Sequence, residues 1–187
     1  MSCDYVTVVY PPNYITLGGR SLIFFNGPIQ GAPPWAALCE NYMRQHAKRP
    51  FVIANPHRPH VRIKGEFTEA MFNEQIDWEH FHRTFVHNNQ YSVNMFWCAK
   101  EAEHFCNRPY AKTTRGELGM SLMLRSLRIR GRPANLVVGF DPEFDDNLKH
   151  EGRHRFWERM IGHLAPETPV CRTIEETCQA ALDMINA

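Results

Sequence analysis

The sequence lacks the patterns that would most quickly narrow its chemistry. Its six cysteines (Cys3, Cys39, Cys98, Cys106, Cys171, Cys178) are dispersed, with no Cys-x-x-Cys pair. Cys98, His104 and Cys106 come nearest to a metal-ligand spacing but lack a fourth ligand at a familiar distance, so no metal site is expected. The ten histidines are scattered. There is no apolar leader at the start and no apolar run approaching the ~20 residues of a membrane-spanning helix. The expectation is a cytoplasmic protein with free thiols in a reducing compartment and no membrane partner. A formal net charge of +1 excludes a bulk electrostatic pull toward nucleic acid or a membrane surface. Arg125, Arg128, Arg130 and Arg132 do cluster near the end of a predicted helix. There they complement the helix dipole, a phosphate-binding edge being the second reading.

What the chain does have is alternation. Short apolar runs at 21–25, 50–54, 92–98 and 135–140, with a weaker one at 169–172, read as strands. They are continuous rather than alternating, as in a parallel sheet covered on both faces. Between them lie helical patterns at about 34–46, 68–87, 114–129, 151–161 and 174–185. Five strand–helix repeats predict an α/β fold: a doubly wound, five-stranded, mainly parallel sheet with helices on both faces. Residues 1–20 stand apart as an arm or edge strand, leaving 21–187 as the domain. Pro33 and Pro34 suit a helix first turn, and Thr173 with Glu176 forms a capping box. Gly131-Arg132-Pro133 stops the third long helix.

With the flavodoxin-like strand order 2-1-3-4-5, the switch point lies between the first and third predicted strands. That order brings the loop Asn26-Gly27-Pro28-Ile29-Gln30-Gly31 beside the loop running from Cys98 to Glu117. The first loop has glycines that admit close backbone approach, but it is not the dinucleotide fingerprint GxGxxG, and a plain tight turn fits equally. After the second strand, Asn55-Pro56-His57-Arg58 presents a histidine and an arginine at the same edge. They suit a hydroxyl, carboxylate or phosphate, or simply decorate a loop.

Two acids stand out. Glu117, in Thr113-Thr114-Arg115-Gly116-Glu117-Leu118-Gly119, falls near a predicted helix start at the ligand-bearing end of the sheet. It reads either as a carboxylate nucleophile or as the reciprocal partner of a Thr114 capping box. Asp77 lies four residues before Phe81, bordering an apolar stripe of Trp78, Phe81 and Phe85. A carboxylate on that edge is costly unless paired or in a cavity, which makes Asp77 the second candidate acid. Glu74 and Glu79 read as solvated boundary residues. Two acids at one crevice, one nucleophilic and one handling protons, are suited to substitution at an anomeric carbon.

These segments together resemble the nucleoside 2-deoxyribosyltransferase-like family, especially its shorter, divergent branch. The matching pieces are Phe25-Asn26-Gly27-Pro28-Ile29-Gln30-Gly31 with Trp35, Asn55-Pro56-His57-Arg58, Gln75-Ile76-Asp77-Trp78-Glu79 and Gly116-Glu117-Leu118-Gly119. They occur in family order over about residues 21–140. The resemblance implies cleavage or transfer at the N-glycosidic bond of a nucleoside or nucleotide through a covalent glycosyl-glutamate. Glu117 matches the nucleophile and Asp77 becomes the supporting acid. Asn26, Gly27, Gln30, Gly31, His57, Arg58, Trp78 and Arg115 become substrate-binding residues. No metal or organic cofactor is implied, and a homo-oligomer is expected. The approach to the nucleophile differs from that of the best-known transferases: Lys112-Thr113-Thr114-Arg115 replaces Asp-x-Gly-Thr, and Lys112 and Arg115 suit a phosphate. A non-catalytic nucleotide-binding or nucleotide-sequestering protein on the same fold is the alternative.

Overall fold

Four apolar runs become the centre of a single sheet, and in the strands they form every residue but Asn135 is buried. The computed structural model describes residues 5–58, 68–104, 109–127, 135–144 and 155–187. In chain order the elements are β1 (Val6–Val9), β2 (Ser21–Asn26), α1 (Trp35–His46), β3 (Phe51–Ala54), α2 (Glu69–Asn88), β4 (Val93–Cys98), α3 (Lys112–Ser126), β5 (Asn135–Phe140), α4 (Arg155–Leu164), β6 (Val170–Cys171) and α5 (Ile174–Asn186). The six strands are all parallel in the order β1-β3-β2-β4-β5-β6. Leaving β1 aside, this is the 2-1-3-4-5 order of a flavodoxin-like fold.

The strand count differs from the expected five because the N-terminal arm joins the sheet. Val6–Val9 pairs in parallel with Phe51–Ala54 and forms the edge. Both end residues of β1 are buried on opposite faces of the sheet, Val6 with the cluster under α1 and α5 and Val9 with the cluster under α2. The connection from β1 to β2 carries no helix. Instead Ile15 and Leu17 pack into the cluster of Leu22, Phe24, Val52 and Trp78, and the Trp78 indole donates to the Asn13 carbonyl at 2.7 Å.

Alternation of side chains across the pleat divides the core in two. Ile23, Phe25, Ile53, Met95, Trp97 and Val137 face α1 and α5. On the other face, Leu22, Phe24 and Val52 pack with α2, while Phe96, Leu136, Val138 and Phe140 pack with α3 and α4. Helix boundaries follow the caps. Thr173 accepts from the Glu176 N–H at 3.1 Å, as its capping box predicts, while Glu176 reaches back to the Arg172 N–H at 2.9 Å. Thr68 caps α2 by accepting from the Met71 N–H. The predicted stop at 131–133, and the first residues of the fourth predicted helix, lie outside the described residues.

The helix carrying Glu117 begins earlier than its sequence suggests. α3 starts at Lys112, with Ala111 as its N-terminal cap in the left-handed conformation at φ 54° and no side chain capping it. Thr114 is thus the third residue of the helix and is buried. The Thr114–Glu117 capping box does not form, because Thr114 lies inside the helix rather than at its boundary.

Candidate active site

The loops at the carboxyl ends of β2 and β4 meet as the strand order requires. The Gly31 carbonyl accepts from the N–H groups of Ala102 (2.7 Å) and Glu103 (3.1 Å), joining the loop before α1 to the loop before α3. Gly31 has φ 81°, a conformation that favours glycine. Gly27 is required for a different reason: a Cβ there would come within 2.5 Å of both the Trp97 carbonyl oxygen and the Trp35 ring. Its lack of a side chain serves packing, and the Trp35 indole then donates to the Pro28 carbonyl at 2.7 Å. Tyr110 fixes the approach to α3 by donating to the carbonyls of Ala99 and Lys100, each at 2.8 Å.

With the capping box absent, Glu117 has another partner. Its Oε1 accepts from Arg83 Nη2 at 2.7 Å, across from α3 to α2. Arg83 is also 3.9 Å from Glu79. The guanidinium lies 5.5 Å from the Phe24 ring centroid, over a hydrophobic floor. α2 and α3 make little direct contact, so this ion-paired group forms a polar seam between them. The side chains are only partly exposed: 12% for Arg83, 19% for Glu117 and 21% for Glu79.

The seam continues along α2 at helical intervals of four. Gln75 donates to Glu79 Oε1 at 2.6 Å and to the Pro56 carbonyl at 2.8 Å. Arg58 donates to Gln75 Oε1 at 3.0 Å, to the Met71 carbonyl at 3.1 Å and to Glu74 at 3.2 Å. The polar chain therefore runs Arg58–Gln75–Glu79–Arg83–Glu117. It links the end of β3 to α3 through one line of α2, because residues four apart lie above one another on a helix.

Burial raises the Glu79 carboxyl from its ordinary 4.5 to about 7, against the stabilising hydrogen bond from Gln75. The nearby Glu117 carboxylate reinforces the rise through charge and hydrogen bonding, while Arg83 opposes it. Near neutral pH Glu79 holds a proton part of the time, beside an arginine-paired Glu117. A buried carboxyl that holds a proton near neutral pH, beside a second carboxyl bound by arginine, is an arrangement that can serve acid catalysis.

Beneath the seam, the same sheet face carries unused polar capacity. Asn26 and Asn94 lie on β2 and β4, and both are buried. The Asn26 amide donates to the Phe24 carbonyl at 3.2 Å, but its oxygen has no partner. Neither end of the Asn94 amide has one, nor does the Ser121 hydroxyl on α3 or the Arg83 Nε. Buried polar atoms left unpaired cost about 1–3 kcal/mol each, so such a group needs a reason.

The other expected residues divide. His57 is held by Asn55, whose Oδ1 accepts from the His57 N–H at 3.0 Å and lies 2.9 Å from Nδ1. Its ring meets Trp35 edge-on, and burial lowers its pKa to about 4. Arg115 lies over the Phe144 ring at 5.4 Å. Gln30 is exposed.

The apolar stripe expected on α2 is corrected. Asp77 is exposed and, among the described residues, makes no hydrogen bond or ion pair; Phe81, whose burial would have turned Asp77 inward, is 50% exposed. The buried line is instead Trp78, His82 and Val86. Trp78 is fully buried, its ring packed against Phe24 and His82. Glu79, read as solvated, is the acid that meets Glu117. The spacing Gln75–Glu79–Arg83 was visible in the sequence, but the partner across the seam was not.

No protein-family model matches this chain, and no curated protein matches it. Among the described residues, no group of three His, Cys, Asp or Glu side chains is arranged to hold a metal, and no helix is long and apolar enough to cross a membrane. Cys39, Cys98, Cys171 and Cys178 are free and buried.

Proposed function

We propose that this protein cleaves the N-glycosidic bond of a nucleoside or nucleotide, with Glu117 as nucleophile and Glu79, rather than Asp77, as the proton-handling acid. The observation carrying this reading is the Glu79–Arg83–Glu117 seam, in which Arg83 holds Glu117 at 2.7 Å while burial raises the neighbouring Glu79 carboxyl to about 7. The sequence resemblance to deoxyribosyltransferase-like proteins supports the substrate class.

In this mechanism a Glu117 oxygen leaves its bond to Arg83 and attacks the anomeric carbon. The carbon–nitrogen bond breaks, its electron pair goes to the departing base, and Glu79 supplies the proton the base takes. Water or a second base then attacks the glycosyl-glutamate and gives its proton to Glu79, which regenerates both groups. Arg83 returns to Glu117 as the carboxylate is released. Asn26 and Asn94 supply amide groups suited to sugar hydroxyls, and Arg58 and Arg115 suit a phosphate.

The 2.7 Å Arg83–Glu117 pair also favours a second reading. A carboxylate held by arginine is a weaker nucleophile, and the same seam could bind an intact nucleotide without turnover. Incubation with a panel of nucleosides, deoxynucleosides and their monophosphates, followed by chromatography, separates the two. Free base supports the enzyme; saturable binding with no free base in any reaction supports the binder.

We also propose self-association. Met120, Met123 and Leu127, at helical spacings of three and four on α3, are 54%, 51% and 64% exposed. Their row supports the expected homo-oligomer, although Leu118 and Leu122 are covered within the protomer.

A further inference from the structure

The opposite end of the sheet carries a second polar site, unrelated to the seam. An open cavity of about 370 Å³ is lined by Gly18, Gly19, Arg20, Ser21, Arg49, Pro50 and Tyr91. These residues lie at or just before the amino ends of β2, β3 and β4. Because the strands are parallel and β2 has six residues, this end is about 20 Å from the carboxyl-end crevice.

Among the described residues no carboxylate is paired with its charge. Arg20 donates through Nε to the Leu17 carbonyl (3.0 Å), through Nη1 to Thr7 Oγ1 (3.1 Å) and through Nη2 to the Thr16 carbonyl (3.1 Å). All three acceptors are neutral, and a guanidinium has five N–H donors, so two remain. Arg49 makes one long contact, Nη2 to Ser21 Oγ at 3.4 Å. Its Nε is shielded from water and has no acceptor. Among the described residues neither guanidinium is paired with a carboxylate.

The backbone adds donors. Gly18 and Gly19 have φ 57° and 82°, and the Arg20 N–H closes their turn on the Leu17 carbonyl at 3.0 Å. Successive left-handed residues leave the intervening N–H groups pointing outward, a geometry that suits anions. A Cβ built at either glycine meets nothing within 4 Å, so the space beside the turn is open. Ser21 contributes a hydroxyl, and the half-exposed Tyr91 ring forms an apolar wall.

We propose that this cavity binds the phosphate group of a small molecule. Two guanidiniums, both with spare donors and no neutralising acid, match a dianion bearing several acceptor oxygens better than a neutral ligand. Arg20 is fixed by its backbone acceptors and acts as the preformed half of the site. Arg49 is the half whose donors await an acceptor.

The test is calorimetric titration of the full chain with inorganic phosphate and, separately, phenyl monophosphate, which carries no nucleoside for the seam, in low-chloride buffer. Saturable binding of either is expected. Arg49→Gln should weaken it on the order of tenfold or more, because it removes one of the two charges and its fork. Arg159→Gln, at an exposed position of α4 outside both sites, should leave it unchanged. Tighter binding of the monophosphate than of inorganic phosphate would assign the Tyr91 wall to the organic part, and equal binding would restrict recognition to the phosphate. Should Arg49→Gln fail to fold, Arg49→Lys is read in its place, with a several-fold loss expected from replacing a fork by a point charge. The assignment is overturned by no saturable binding of either ligand, by unchanged affinity in the Arg49 variant, or by loss on Arg159→Gln instead.

Discussion

Glu79 on α2 and Glu117 on α3 approach one guanidinium from two different helices, Arg83 lying 2.7 Å from Glu117 and 3.9 Å from Glu79. The unequal distances give the two acids unequal tasks. Glu117 takes the stronger charge-assisted bond, while burial dominates Glu79 and raises its carboxyl, which suits it to the proton-carrying role proposed for it.

Glu117→Gln should lower turnover by orders of magnitude if base release depends on a covalent intermediate. It should also destabilise the fold by about 1–3 kcal/mol, because the largely buried Arg83 loses its nearest negative partner. Chromatographic assay of free base and a urea midpoint measure the two effects together. Asp77→Asn is the matched control, with base release within about twofold of the parent and a midpoint shift within about 0.5 kcal/mol, as for ordinary surface changes. Loss of activity in Asp77→Asn with normal activity in Glu117→Gln would reverse the assignment.

Base release should fall as pH rises through about 7, where Glu79 loses the proton that the departing base needs. Glu79→Gln should lower the rate and abolish that alkaline limb. A rate profile from pH 5 to 9 on both proteins checks this; an alkaline limb that survives in the variant assigns it to another group.

Stability against pH should show two opposed contributions. Glu79 has a raised folded pKa, so the native state holds more protons than the unfolded chain between about 4.5 and 7, and stability is lost as pH rises through that window. His57 has a lowered folded pKa, about 4 against an ordinary 6.5, so its contribution is present above 6.5 and lost as pH falls toward 4. The two slopes oppose each other between 4.5 and 6.5. Glu79→Gln should expose the rise with pH and His57→Gln the fall, read as urea midpoints at half-unit steps.

Gly27→Ala should cost about 1–3 kcal/mol, since the new methyl group meets the Trp97 carbonyl and the Trp35 ring and something must move. A thermal melt detects it. An unchanged melting temperature would show that the loop can shift freely.

Light scattering should give a mass above the 21.8 kDa protomer, and Met120→Lys with Met123→Lys should return it to that value. A parent protein already at protomer mass would remove the case for self-association.

The sheet was legible because strands buried on both faces write themselves as mainly apolar runs without polar alternation, as in Ser21–Asn26, Val93–Cys98 and Asn135–Phe140. The first strand was harder to read: Val6–Val9 pairs with a strand more than forty residues away, and pairing over that distance leaves no local trace. Glu117 could be singled out by position, but its helix starts at Lys112 because Ala111 takes a left-handed conformation without any capping side chain. The choice between Asp77 and Glu79 turned on helix rotation. Treating Phe81 as buried turned the helix toward Asp77; the actual buried line of Trp78, His82 and Val86 turns it toward Glu79.

The link between Trp78 and the Asn13 carbonyl gives the first twenty residues a role beyond extending the sheet. The strap that follows β1 holds the same helix that carries Gln75, Glu79 and Arg83, and Tyr14 packs against Phe81 and His82 on it. A shortened protein beginning at Ser21 would keep every residue of the seam yet lose the clamp that sets the helix's rotation. Anyone trimming this chain for crystallisation or fusion would be adjusting the alignment of the two carboxyl groups from its far end.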